Sequence, residues 1–269
     1  MTRLDRRALF SSGVAAALLA ATGVSLEASP RQGGRLRIAL PRSDDNLARL
    51  AHGAAYDRLT EIAPNGALNG ELATGWYAEA KGREWVIDLR EGVRFHDGTA
   101  VCAAGVVECL TEPLDLAKHI EATNPMQLRI ELEEARSDLP FVLASPEFAI
   151  ARHGNIGTGC YRTERLVPDR QYLGQKVTDH YKAGRAGWVD TVEALVIPDA
   201  TVRAEALRDG FVDIAAIPKD ESLRGHADLV FYPSSENMAL AMRKSVGRPR
   251  EIGAGLLDDG RLAERWWLG

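Results

Sequence analysis

Cysteine is scarce: Cys102, Cys109 and Cys160 are the only three in 269 residues, too few for a disulfide framework and without the paired spacing of a zinc site. If Cys102 and Cys109 share a helix, their Cα atoms lie about 10 Å apart, beyond the reach of a disulfide. The six histidines (52, 96, 119, 153, 180 and 226) stand singly. There is no GxSxG nucleophile elbow and no phosphate-cradling GxxxxGK[ST] loop. Gly154, Gly157 and Gly159 carry dinucleotide-loop spacing in reverse order, with no strand leading in and no helix opening after them, which reads as a tight turn. His96-Asp97 could be taken for an acid–base pair, but between a strand and a helix Asp97 reads as a cap or an Asx turn. No motif therefore supports an enzyme, a cofactor or a metal site.

Two further absences narrow the class. Lys and Arg number 33 against 38 Asp and Glu, for a net charge of −5, and no long basic run occurs; a nucleic-acid binder would show a basic face. No apolar run reaches the roughly 20 residues of a membrane-spanning helix. The nearest is the Ala/Leu-rich stretch 13–24, which follows a basic start at residues 3–7. That length suits a signal-peptide core. The paired Arg6-Arg7 in DRRALF, ahead of an alanine-rich apolar core, resembles a twin-arginine export signal, with cleavage expected after Ser25 or Ala28. A frayed N-terminal helix is the plainer alternative. Residues 1–28 are set apart as signal peptide, and the remainder is expected to be exported to the periplasm.

What is present reads as mixed α/β. Leu36, Ile38 and Leu40 alternate as an opening strand, and residues 46–59 have helical apolar spacing with Asp44 or Asp45 to cap it. The segment 63–79 is turn-rich. Trp85, Ile87 and Leu89 alternate, residues 101–110 suggest a short helix, and 127–132 alternate again. Residues 139–144 are predicted helical, and strands are expected at 161–166, 171–177 and 192–197. Asp199 caps a helix that ends at Gly210, followed by a short buried strand at 212–216. The tail holds apolar stretches at 238–242 and 266–268.

Five blocks in this order resemble the peptide/nickel-type periplasmic binding proteins, solute-binding family 5. They are GGRLRIALP (33–41), YDRLTEIAPNGALNGELATGW (56–76), WVIDLREGVRFHDGTAVCAAGVVECL (85–110), GTGCYR (157–162) and IPDATVRAEALRDGFVDIA (197–215). Cys102 departs from a hydroxyl-bearing helix starter, Gly105 from a common acid, and Cys160 from the proline of the GTG turn. The resemblance implies a periplasmic binding protein-like type II α/β fold, reduced to two lobes with the third, closing lobe missing. The first lobe would comprise residues 33–54 plus 153–269, and the second 55–152.

The same resemblance implies an extracytoplasmic solute-binding component of an ABC transporter, taking a peptide or similar small solute and delivering it to a permease in the cytoplasmic membrane. No cofactor and no nucleic acid are implied. Candidate ligand contacts are Arg42, Asp44 and Asp45 after the first strand, with Tyr56 and Trp76 as aromatic walls whose plainer role is core packing. Trp266 and Trp267 could flank the cleft or seal the core where the tail docks. The second reading is a shortened relative that no longer captures solute and serves as a protein-interaction module.

Overall fold

The computed structural model describes residues 32–42, 45–152, 156–218, 227–233, 238–249 and 260–267. The export-signal reading, Asp44, His153, Gly154 and His226 lie outside the described residues. Along the chain, β1 (Arg35–Leu40) leads to α1 (Asn46–Ala55), the hairpin β2 (Thr60–Ile62) and β3 (Leu68–Gly70), then β4 (Ala73–Glu79) and β5 (Glu84–Leu89). Next come α2 (Ala103–Thr111), β6 (Ala117–Asn124), β7 (Gln127–Leu132) and the one-turn helix α3 (Leu139–Val142). The chain continues through β8 (Tyr161–Val167), β9 (Gln171–Lys176), β10 (Thr191–Val196), α4 (Ala200–Arg208) and β11 (Ile214–Pro218). It then forms β12 (Leu229–Pro233), β13 (Met238–Arg243), β14 (Arg248–Pro249), α5 (Leu262–Arg265) and β15 (Trp266–Trp267).

Two sheets organise these elements. A seven-stranded sheet has the order β12-β13-β11-β1-β10-β9-β8, and a four-stranded sheet the order β4-β5-β7-β6. In the larger sheet β1 is central and pairs in parallel with both β10 and β11; the outer pairings are antiparallel. A central strand is buried on both faces. Leu36, Ile38 and Leu40 of β1 enter a core with Leu47, Leu50 and Ala54 of α1, while Ala39 points to a second core with Leu207 of α4. The two helices thus cover opposite faces. The smaller sheet is covered by α2, whose Val106 and Leu110 pack with Trp85, Ile87, Leu128 and Ile130.

Several local expectations shift. Asp45 precedes α1 in left-handed backbone (φ 62°) and makes no capping side-chain bond. Asp199 does cap α4, accepting from Thr201 N at 2.7 Å and Val202 N at 3.1 Å. The strand read at 212–216 lies at Ile214–Pro218, because Gly210 takes φ 79° and the turn out of α4 extends past it. Strands β4 and β6 went unread: most of their residues are exposed, so no buried alternation marks them.

The parts of the chain carrying the two sheets meet along residues 55–58, 150–152 and 156–159. Gly159 N donates to Ala55 O at 2.9 Å, His96 N to Gly157 O at 2.9 Å, and Ile150 N to Asp57 O at 2.9 Å. A Cβ on Gly157 or Gly159 would collide with the Ala54–Ala55 backbone, so this close approach requires glycine. The FHDG and GTG turns are therefore docked on one another. Beneath them lies a buried ionic cluster. The Lys182 ammonium donates to Asp57 Oδ1 (2.9 Å), Glu71 Oε1 (2.5 Å) and Glu264 Oε1 (2.9 Å). Arg261 bonds Glu71 Oε1 (2.5 Å) and Oε2 (2.9 Å) and Glu264 Oε2 (2.8 Å), and Arg58 N adds a bond to Glu71 Oε2 (2.6 Å). All five of these charged side chains are buried.

Three carboxylates here face two cations. Burial pushes the Glu71 carboxyl up to about 7, against the pull of Arg261 and Lys182. Burial would also raise Glu264, but Lys182 and Arg261 outweigh it and hold that carboxyl at about 2. Removing one member of a buried ion cluster strands the others without compensation. Lys182→Met is accordingly expected to lower the unfolding free energy by about 3–5 kcal/mol, read from the urea midpoint. A loss below about 1 kcal/mol would show that the seam does not depend on this cation.

The pH dependence follows from the signs. Glu264, folded at about 2 against an ordinary 4.5, adds stability that is present above 4.5 and lost as the pH falls towards 2. Glu71, folded at about 7 against 4.5, favours folding fully below 4.5 and loses that contribution as the pH rises to about 7. Each limb is worth roughly 3 kcal/mol, so the cluster's contribution is greatest near pH 4.5 to 5. Melting temperature measured across pH 3–9 should show a neutral-side decline that flattens in Glu71→Gln. Parallel curves for the two proteins between about pH 5 and 7 would contradict this assignment.

Candidate functional site

The connections after β1 and β10 leave on opposite faces of the larger sheet, into α1 and α4. Adjacent parallel strands whose connections part in this way open a crevice at their carboxyl ends, the usual place for a ligand in open α/β sheets. Its floor is tightly fixed. Ile197 N donates to Leu40 O at 2.8 Å, joining the ends of β10 and β1. The buried Arg203 guanidinium of α4 donates to Ala216 O (2.6 Å), Ile197 O (2.6 Å) and Pro198 O (2.9 Å), tying β11 to β10. Asp199 is committed to the α4 cap.

Two charges at this rim remain unpaired among the described residues. Arg42 is exposed just past β1, and Asp45 is exposed at the start of α1. A cation and an anion three residues apart can meet the carboxylate and the ammonium of a zwitterion.

The other candidates lie elsewhere. Tyr56 follows the last turn of α1, about 15 Å along the helix from Asp45. Its half-buried ring lies 4.8 Å from that of His52 and against the Gly157 turn, and burial raises its phenol above the ordinary value. Trp76 packs against the core of the smaller sheet. The five predicted contacts are thus not gathered in one place: Arg42 and Asp45 share the rim, Tyr56 sits at the seam, and Trp76 supports the second lobe. Trp266 is fully buried and donates Nε1–H to Val246 O at 2.8 Å, a core-sealing role.

Asp57, Glu71 and Glu264 bring carboxylate oxygens within 4.8 Å of one another, as metal ligands would. The Lys182 ammonium bonds all three and fills the position a cation would take. Cys160 lies 3.5 Å from His180 Nδ1, but burial pushes its thiol well above the usual range, and a protonated thiol is a poor nucleophile. Cys102, Cys109 and Cys160 are all free. Sequence reading missed the ionic cluster entirely. Its one visible sign was charge at Asp57, Arg58 and Glu71 beside the apolar Leu59 and Leu72, all of which are buried.

Comparison with known proteins agrees with this architecture. Residues 67–245, more than half of the chain, match the family described as bacterial extracellular solute-binding proteins, family 5 middle. The glutathione-binding protein GsiB of Escherichia coli K12 is 24% identical over 246 residues, covering 81% of this chain and 48% of GsiB. The peptide-bound periplasmic protein DppA of Helicobacter pylori superposes with a TM-score of 0.69 at 21% identity, covering 78% of this chain and 52% of DppA. The oligopeptide-binding protein AppA of Bacillus subtilis, solved with a nonapeptide, gives 0.67 at 20% identity over 76% of this chain and 48% of AppA. The chain spans about half the length of the relatives it matches. Among the described residues no helix is long and apolar enough to cross a membrane. The chain belongs to the family 5 bacterial extracellular solute-binding proteins.

Proposed function

We propose that this chain is a solute-binding component of an ABC transporter, working outside the cytoplasmic membrane and passing a peptide-like zwitterion to a permease. The observation that carries the reading is the exposed Arg42 and Asp45, without a charged partner among the described residues, at the carboxyl ends of β1 and β10. Arg42 takes the solute's carboxylate and Asp45 its ammonium group. Asp44 is proposed to join them from the same loop.

Relatives support the solute class: GsiB is named for glutathione, and DppA and AppA were solved with peptides. Brucella suis NikA, similar in fold at a TM-score of 0.66, was solved with Fe(III)-EDTA, so a charged chelate is the next solute class in line. Export through the twin-arginine route rests on Arg6 and Arg7 and completes the reading. The protein acts by binding alone, without catalysis.

A thermal-shift screen against dipeptides, tripeptides, glutathione and nickel complexes tests this. Saturation at a hundred times the dissociation constant adds about 2.7 kcal/mol, a rise of several degrees. The expected result is a dose-dependent rise with a zwitterionic peptide. Arg42→Ala or Asp45→Ala should weaken binding about tenfold or more, the weight of a hydrogen bond to a charged group. A flat response from folded protein, or full affinity in both variants, would overturn the proposal.

A further inference from the structure

A second crevice lies at the opposite end of the seven-stranded sheet. The register sets Arg35 beside Thr191 and Thr191 beside Gln175, and Lys176 N donates to Asp190 O at 2.8 Å. Lys176 is therefore level with the amino end of β1, whereas Arg42 follows its carboxyl end. The two are about 25 Å apart along the strand direction.

The crevice has a volume of about 570 Å³ and is lined from both lobes, by Arg94 and His96 of the FHDG turn and by Arg162, Lys176, Asp179 and Tyr181 of the first lobe. Its charges are unbalanced. Arg162 is neutralised by Glu164 at 2.7 Å. Arg94 donates only to the uncharged Gly98 O, at 2.8 Å, and the Lys176 ammonium has no partner among the described residues. Asp179 is the one carboxylate in the lining among the described residues. His96 bonds Gly159 O at 2.9 Å, and burial lowers its pKa, so it adds no charge near neutrality. Tyr181 adds ring surface to the lining, and its Oη is buried away from solvent.

We propose that this crevice is a second binding site, for a small organic oxyanion of the phosphate-monoester or polycarboxylate class, held between Arg94 and Lys176. One cation comes from each lobe, so the bound anion braces the lobes from the side opposite the β1–β10 crevice. The volume falls within the range of small-molecule sites.

Isothermal titration with citrate and with inorganic phosphate, at low and at raised salt, tests the proposal on the full chain. One saturable site is expected for citrate, weakened by salt. The double variant Arg94→Gln/Lys176→Gln should bind at least tenfold more weakly, and both side chains are surface-accessible, so folding should be unaffected. Arg42→Ala should bind citrate as the parent does, which separates this site from the proposed solute site. No saturable heat with either anion, or unchanged binding in the double variant, would overturn it. Association only with phosphatidylglycerol vesicles, and not with citrate or phosphate, would assign the charge to a lipid surface and overturn the soluble-anion site.

Discussion

The Lys182 ammonium is buried, and it is kept there by three carboxylates drawn from distant parts of the chain: Asp57, Glu71 and Glu264. Desolvating such charges is expensive, and their mutual attraction offsets the cost only where the geometry bonds nearly all of their donors and acceptors; here Arg261 Nε and Asp57 Oδ2 are left without a hydrogen-bond partner among the described residues. That condition fixes the lobes relative to one another. Asp57 and Glu71 belong to the segments that open the second lobe, Lys182 to the loop after β9, and Arg261 and Glu264 to the terminal helix region. An apolar seam of the same area would tolerate sliding; a bonded ionic cluster has one register. The GTG glycines complete the constraint, because only a backbone without Cβ can approach Ala55 closely enough to seat the FHDG turn.

With the smaller sheet anchored, the larger sheet sets the frame of the proposed solute site. Its three parallel strands end together, clamped by Arg203, and the helices after β1 and β10 leave on opposite faces. Rigid support beneath an exposed rim is the arrangement that binding sites favour, since contacts on a fixed frame lose little entropy when a ligand arrives.

The parts of this fold legible in the sequence are those with buried periodicity. β1, β5 and β7 alternate because one or both faces are covered, and α4 announces itself by Asp199 and Gly210. β4 and β6 stayed hidden because their exposed residues carry no such signal. The family blocks were legible for the same reason: they are dominated by turns and caps. The ionic cluster was not, because each of its residues reads locally as an ordinary surface charge. The bonds from Glu71 to Lys182 and to Arg261 span 111 and 190 residues, and no local pattern can pair groups so far apart. The candidate contacts divide along the same line: Arg42 and Asp45 follow a readable strand and stand exposed, whereas Tyr56 and Trp76, chosen for residue type, lie against packed groups.

The rim's polarity follows from topology. Helices that follow parallel strands begin at the strands' carboxyl ends, so the amino ends of both α1 and α4 face the same edge. Their exposed amides carry partial positive charge. At α4 this is met by Asp199, whose carboxylate accepts two of the first amides. At α1 the left-handed backbone of Asp45 turns its side chain away from that role, so the helix's positive end and Arg42 act in the same direction. A carboxylate is the complementary group. Asp45, released from capping, supplies the opposite charge beside it. A plain cation edge attracts any anion; under the proposed reading, an edge with both signs favours a solute with both, the pattern of a peptide's two termini or a free amino-acid head.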